Sequence, residues 1–331
     1  VTTSTQAPWN TALPTARGPL SEVLIDALRR EPGDIVFPTV EADPWGDDLQ
    51  LALYTAYELH YQGFHRVDPA WEWDPELLRL RARMESTFLR AMRERVDGGA
   101  DLSAELDALL VEPIPGEGIS HFLRDEGEWW HMREYFAHRS LYHLKEADPH
   151  AWAIPRLRGR AKAALVAVEF DEFGGGRAEK MHAQLFADLL AGAGMSPDYL
   201  HYLDHVPACA LAPVNLMSLF GLHRRWVGAL VGHFTAAEIT TGPSAARMAA
   251  ALSKMDASAA CSLFYTEHIE ADAVHEQVMR HDVVGGLLEQ RPELAADITF
   301  GVQTTNLVEQ HLSEHLLGSW RAGHTSLRTP L

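Results

Sequence analysis

Cysteine is nearly missing from this sequence. Cys209 and Cys261 are the two in 331 residues. That is too few for a disulfide framework and points to a reducing compartment, the cytoplasm. Long apolar runs are missing too. No stretch reaches membrane-spanning length, and the opening VTTSTQAPWN has no signal-peptide hydrophobic region. Positive charge is in short supply: 28 Lys and Arg stand against 46 Asp and Glu, a formal net charge of −18, and the cations form no basic run. This balance argues against nucleic acid and anionic membranes as partners. Strand-like alternation is scarce and no internal repeat is apparent. Gly174-Gly175-Gly176 lacks the Gly-Lys-Ser/Thr or dinucleotide context that would make it a phosphate loop.

What the sequence does have is helical periodicity, an ordinary 47% apolar content and 18 histidines. Residues 1–18 read as a flexible tail. Helices are expected at about 20–30, 47–61, 75–96, 101–110, 119–147, 155–172, 177–191, 212–240, 243–254, 257–282 and 294–320. Pro75 suits a first-turn position, Gly98-Gly99 ends a helix, and Asp148-Pro149 and Gly242-Pro243 are read as stops. The class is all-α, a bundle of about eight to eleven helices. The expected organisation is a tail at 1–18, accessory helices at 19–115 and a core at 116–331.

The segment 256–283 carries the chemistry. His268, Asp272 and His275 have i, i+4, i+7 spacing, which places them within roughly 60° of one another on a helix. Phe264 and Met279 share that face, so it looks inward, while Glu267, Glu270, Glu276 and Arg280 fall mostly off it. A buried carboxylate must be paired or bound to a metal. Hydrogen-bonded core histidines and a metal site both satisfy this pattern.

Four further positions repeat the anomaly. Glu238 follows Trp226, Leu230 and Phe234 in an i+4 stripe where an apolar residue is due. His182 shares a face with Leu185, Phe186 and Leu189. Glu172 precedes the triple glycine, whose break would let Glu172 and His182 face one point from two half-helices. Glu146 follows Tyr135 and Tyr142 on the helix expected to stop at Pro149, where a surface position is the plainer reading. Together these supply four carboxylates and three imidazoles, the ligand mixture of two-metal helical bundles, and four carboxylates would neutralise two divalent ions. His201 and His205 also have ligand spacing, but Pro197 and Pro207 argue against a stable helix there, and His311 and His315, with Glu309 and Glu314 on the last helix, read as surface or supporting groups.

The segments KEADPHAWAIPRL (145–157), EFDEFGGGRAEKMH (169–182), AAEIT (236–240) and EHIEADAVHEQ (267–277) resemble the heme-oxygenase-like diiron oxidases, also called iron-containing redox enzymes. The resemblance covers about residues 128–320. It implies a heme-oxygenase-like helical bundle holding two Fe(II) ions that activate O2. The ligands it implies are Glu146, Glu172, His182, Glu238, His268, Asp272 and His275. Family members N-oxygenate amines, oxidatively decarboxylate or desaturate fatty acids, or fragment amino acids. A glutamate ten positions before the helix-two histidine, here Glu172, is associated in the family with N-oxygenation.

The expectation is therefore a diiron oxygenase that N-hydroxylates an amine of a small molecule, taking O2 and electrons from an external donor. Oxidative decarboxylation, desaturation or C–C cleavage of an amino or fatty acid is the alternative, and a metal-free binding protein of the same fold is the rival from another class. The expected partition gives Glu146, His182 and His275 to one iron and Glu238, His268 and Asp272 to the other, with Glu172 bridging or capping. Arg139, Arg177, Arg224 and Arg225 are candidates for anchoring an acidic substrate group. A homodimer is expected, with Trp71, Trp73, Leu77, Leu78 and Phe88 among the residues that could meet a partner.

Overall fold

The computed structural model describes residues 11–33, 36–112 and 114–331; the side chains of Glu270 and Asp272 lie outside the described residues. Among the described residues the fold is helical with no strand. The N-terminal part contains α1 (Pro19–Leu28), α2 (Asp47–Glu58), α3 (Pro75–Arg93) and α4 (Leu102–Leu109). Then come α5 (Ile119–Asp125), α6 (Trp129–His143), α7 (Asp148–Ala151), α8 (Gly159–Glu172) and α9 (His182–Gly192). The last five are α10 (Ala208–Leu222), α11 (Val227–Lys254), α12 (Ala259–Gln277), α13 (Gly285–Gln290) and α14 (Ala295–Arg321).

Local chemistry explains several of these boundaries. Asp74 caps α3 by accepting from the backbone N–H groups of Glu76 and Leu77 at 3.0 and 2.9 Å, with Pro75 in the first turn. The α3 stripe Leu77, Leu80, Met84 and Phe88 is buried as its spacing requires. Two expected stops differ. Pro149 starts α7 in place of ending a helix, because a proline in the first turn gives up no hydrogen bond. Pro243 lies inside α11, which runs unbroken from 227 to 254. Its lost N–H costs one intrahelical bond, but α11 packs along both α12 and α14, and tertiary contact outweighs that local loss. The 119–147 and 212–240 spans each divide in two, at 126–128 and at His223.

Two apolar clusters fill the molecule, and both mix N-terminal helices with the rest. One joins Leu24, Leu53 and Phe88 to Leu230 and Ile298. The other joins Ile25, Leu51 and Tyr54 to Phe136, Phe186 and Phe264. Trp71, Leu77 and Phe88 are buried within the chain and so cannot meet a partner, whereas Trp73 is 66% exposed. Residues 11–18 have little regular structure, yet Thr15 hydrogen-bonds Asp204 and Arg17 donates to the Leu203 carbonyl at 2.6 Å. Residues 1–10 lie outside the described residues. α11 and α14 cross so closely that a Cβ on Gly232 would overlap the Ile298 carbonyl, and one on Gly301 the Ala229 carbonyl. This crossing fixes the axial position of α11, and with it that of Glu238.

Candidate metal centre

The chain brings six of the seven sequence candidates into one buried space. Glu146 comes from the break between α6 and α7, Glu172 from the end of α8, and His182 from the start of α9. Glu238 comes from the middle of α11, and His268 and His275 from α12. All six are at most 7% exposed. The seventh, Asp272, has a side chain outside the described residues.

The glycine run works through its backbone. Gly174, Gly175 and Gly176 all have positive φ, 71°, 62° and 80°, a region that only glycine enters cheaply. A Cβ on Gly174 would also strike the backbone at Lys180 and Met181. The chain thus turns tightly between α8 and α9, and Glu172 Oε2 comes within 2.9 Å of His182 Nδ1.

The ligand atoms form two groups, each with its members within 4.8 Å of one another: Glu146, His182 and His268, and Glu172, Glu238 and His275. This corrects the expected partition, in which His275 joined Glu146 and His182. His268 Nε2 is 3.5 Å from Glu146 Oε1, and the His182 and His268 rings lie 4.3 Å apart. His275 Nδ1 instead faces Glu172 Oε1 at 3.4 Å and Glu238 Oε2 at 3.3 Å. Glu172 therefore touches both groups, one oxygen toward each.

The space is one that a cation would complete. Glu146 Oε2, Glu238 Oε2, His182 Nδ1 and His275 Nδ1 are buried without a hydrogen bond, although charged neighbours lie close. Buried polar atoms seldom stay so. His268 Nδ1 sits 2.7 Å from the Phe264 carbonyl, to which it donates, making Nε2 the lone-pair nitrogen on the side of Glu146. The acids feel opposing forces. Burial pushes the Glu146 carboxyl up, but His143 and His268 more than offset this and hold it well below the usual range. Burial likewise raises Glu172, and His182 and His275 bring it down to about 2. For Glu238 burial wins, and its carboxyl is raised. Burial disfavours the charged His275, yet Glu172 and Glu238 lift it to about 11. Carboxylate oxygens and imidazole nitrogens without thiolate suit iron or manganese.

Sequence reasoning missed three neighbours. His143 Nδ1 lies 3.0 Å from Glu146 Oε1, one helical turn earlier, a spacing that was available to be read. Glu169 is 2% exposed with neither oxygen hydrogen-bonded, and burial beside Glu172, Asp148 and Glu238 pushes its carboxyl up to about 9. Asp171 Oδ2 lies 3.4 Å from His275 Nε2 at the outer edge. The other histidine pairs stand elsewhere. His205 binds the Thr329 carbonyl, His315 the Ser326 carbonyl, and His311 packs on Trp45.

A cavity of about 350 Å³ opens onto His182 and His275 and is lined also by Asp171, Glu267, Arg177 and Lys180. Of the four arginine candidates, Arg177 alone lies here. Arg139 is paired with Glu309. Arg224 and Arg225 line a separate cavity of about 540 Å³ with His223 and Arg291. That cavity is larger, but none of the candidate ligands lines it. Among the described residues no helix is long and apolar enough to cross a membrane.

No curated protein matches the sequence. The sequence profile of the iron-containing redox enzymes, however, matches residues 133–310. That span is more than half of the chain and holds every candidate ligand from Glu146 to His275. The chain thus belongs to the iron-containing redox enzyme family and is an oxidoreductase.

Proposed function

We propose that the protein is an O2-dependent non-heme diiron oxygenase that N-hydroxylates a small-molecule amine. Glu146, Glu172, His182, Glu238, His268, Asp272 and His275 hold two Fe(II) ions per chain. The observation that carries this reading is Glu172, whose two oxygens reach His182 in one ligand group and His275 in the other. A carboxylate so placed could serve both ligand groups, and seven ligands are more than a single ion would take. Bound iron supplies the electrons and open positions through which O2 is reduced.

The protein's own residues do the remaining work. Glu172 and Glu238 set the spacing of the two groups, and Asp171 orients His275 from outside. Asp171 and Glu267 at the cavity suit a cationic amine, and Arg177 and Lys180 suit an acidic group on the same molecule. The buried apolar walls Phe186 and Phe264 exclude water. The balance is one amine, one O2, two electrons and two protons giving one hydroxylamine and one water, the electrons coming from an external donor. The enzyme acts as a two-fold dimer, for which exposed Trp73 offers contact area.

Anaerobic Fe(II) titration should give two ions per chain. Turnover of an amine panel under labelled O2 should place one labelled oxygen on nitrogen. Labelled oxygen found only in water, with a desaturated or cleaved product, would replace N-hydroxylation by the alternative oxidase reading. A chain that takes up no iron would end both. A monomeric mass by light scattering at micromolar concentration would remove the dimer.

A further inference from the structure

Next to Glu146 in sequence stands a second buried charge that the centre does not use. Lys145 is 3% exposed and its side chain leaves in another direction. Its Nζ lies 2.8 Å from Glu58 Oε2, with both side chains at most 1% exposed. Glu58 is the last residue of α2, outside the span that matches the family profile. Its carboxylate is saturated. Besides Lys145, the Tyr199 hydroxyl donates to it, 2.8 and 3.0 Å from its two oxygens, and the backbone N–H of Gln62 donates at 3.3 Å. The Lys145 ammonium also lies over the rings of Tyr54 and Tyr61, 4.6 and 4.4 Å from their centroids. Tyr61 is tied in turn to Ser218 on α10, its hydroxyl 3.0 Å from that of Ser218.

The backbone at this point needs holding. α6 ends at His143, and α7 begins at Asp148. Between them Ala147 sits at φ 73° and ψ −30°, a positive-φ conformation that a residue with a Cβ adopts only under constraint. Glu146 therefore stands on a short irregular turn, where no helical hydrogen-bond ladder sets its direction. The turn has a cross-brace: Lys145 N–H donates to the Tyr142 carbonyl, and the Lys145 carbonyl accepts from Asp148 N–H. The Lys145 side chain is held by Glu58 and Tyr54 of α2 and by Tyr61 just after it, and Tyr199 and Ser218 hold Glu58 and Tyr61 in turn.

We propose that Glu58, with Lys145, is a positioning device for the metal centre: α2 sets the place of Glu146 by clamping the residue beside it. This rests on the diiron reading. It gives the N-terminal helices a function in the site besides packing. Displacing one ligand by a fraction of an ångström should weaken one metal position and leave the other.

The test compares the full chain with the double variant Glu58→Leu/Lys145→Met, which removes both charges together and so avoids stranding one in the interior. Leu24→Ala, a core truncation in α1, serves as the control for lost stability. Each is titrated anaerobically with Fe(II), and the near-infrared magnetic circular dichroism of the ferrous ions is recorded. The double variant should bind one of the two ions at least tenfold more weakly, with shifted ligand-field bands. Leu24→Ala should keep both affinities and the wild-type spectrum. A folded double variant with wild-type affinities and bands overturns the proposal alone. If the double variant does not fold, Tyr199→Phe decides: it keeps the ion pair but frees Glu58, and it should shift the same bands, whereas an unchanged spectrum overturns the clamp. Wild-type protein that binds no Fe(II) overturns the diiron reading and the clamp with it.

Discussion

Two buried glutamates of this chain show opposite solutions to one problem. Glu134, 6% exposed on α6, accepts from Trp320 Nε1 at 3.0 Å, Thr325 Oγ1 at 2.5 Å, and the N–H and hydroxyl of Ser326 at 2.8 and 2.7 Å. Every donor comes from the C-terminal segment, which it ties to the bundle. Ser326 Oγ also meets His138 Nε2 at 2.9 Å, and as the hydroxyl proton goes to Glu134, the imidazole donates. Glu238, 7% exposed on α11, shares its space with Glu172 and His275, and its Oε2 lacks a hydrogen bond. Burial costs both groups their water. The first recovers the loss within the protein; the second is left for something the protein must bind. The pair teaches that burial alone does not mark a functional acid, and that what the neighbouring groups supply separates the two.

The largest expected effect breaks the comparison outright. His268→Ala or His275→Ala should remove at least one of two Fe(II) ions, measured by metal analysis after anaerobic loading, whereas Glu134→Ala should keep both. Fe(II) should stabilise the wild type by about 4 kcal/mol per site at a thousandfold excess over Kd, read as a rise in melting temperature that the two histidine variants lose in whole or part.

Next comes the cost of the satisfied site. Glu134→Ala strands the donors of Trp320, Thr325 and Ser326, and should lower stability by about 3 kcal/mol, measured by urea unfolding. A loss near zero would mean that those donors reach water.

Glu238→Gln should do the reverse. The raised Glu238 pKa means that its charged form destabilises the folded chain above the ordinary carboxylate range. The neutral amide should therefore make the metal-free protein more stable at pH 7.5, and the gain should vanish once the pH falls below the ordinary carboxylate range. The same variant should bind iron poorly. Loss of stability without metal would show that the carboxylate already has donors.

The smallest effect is a slope. Burial lowers His138 to about 3, so the folded chain keeps it neutral while the unfolded chain protonates it near 6.5. Its contribution is complete above that pH and is lost as pH falls toward 3. His138→Gln should therefore flatten the dependence of stability on pH between about 4 and 6 by roughly 1.4 kcal/mol per pH unit, seen in urea titrations at several pH values.

Much of this was legible beforehand. The 3.6-residue periodicity announces an all-α fold, and the i, i+4, i+7 spacing puts His268 and His275 on one inward stripe. Glu238 in an apolar stripe and the triple glycine between Glu172 and His182 are equally plain. Glu146 was hard, because the irregular turn that buries it follows no periodicity. His143 and Glu169 were hidden for another reason. His and Glu on a helix are ordinary, and only the neighbouring helices make these two unusual.

The sequence by itself determined the helices, the face that each ligand-bearing helix turns inward, and the turn that lets Glu172 meet His182. These depend on backbone geometry within a few residues. Tertiary structure alone decided which residues share a group, with His268 beside Glu146 and His182 and His275 beside Glu172 and Glu238. It alone carried α11 through Pro243, buried Trp71 and Phe88 inside the chain, and brought Glu58 to Lys145. The physical reason is that periodicity fixes a side chain's direction around its own helix axis. It leaves open how far one helix slides or turns against another. That is set by close packing between distant segments, as where Gly232 and Gly301 let α11 and α14 touch backbone to backbone.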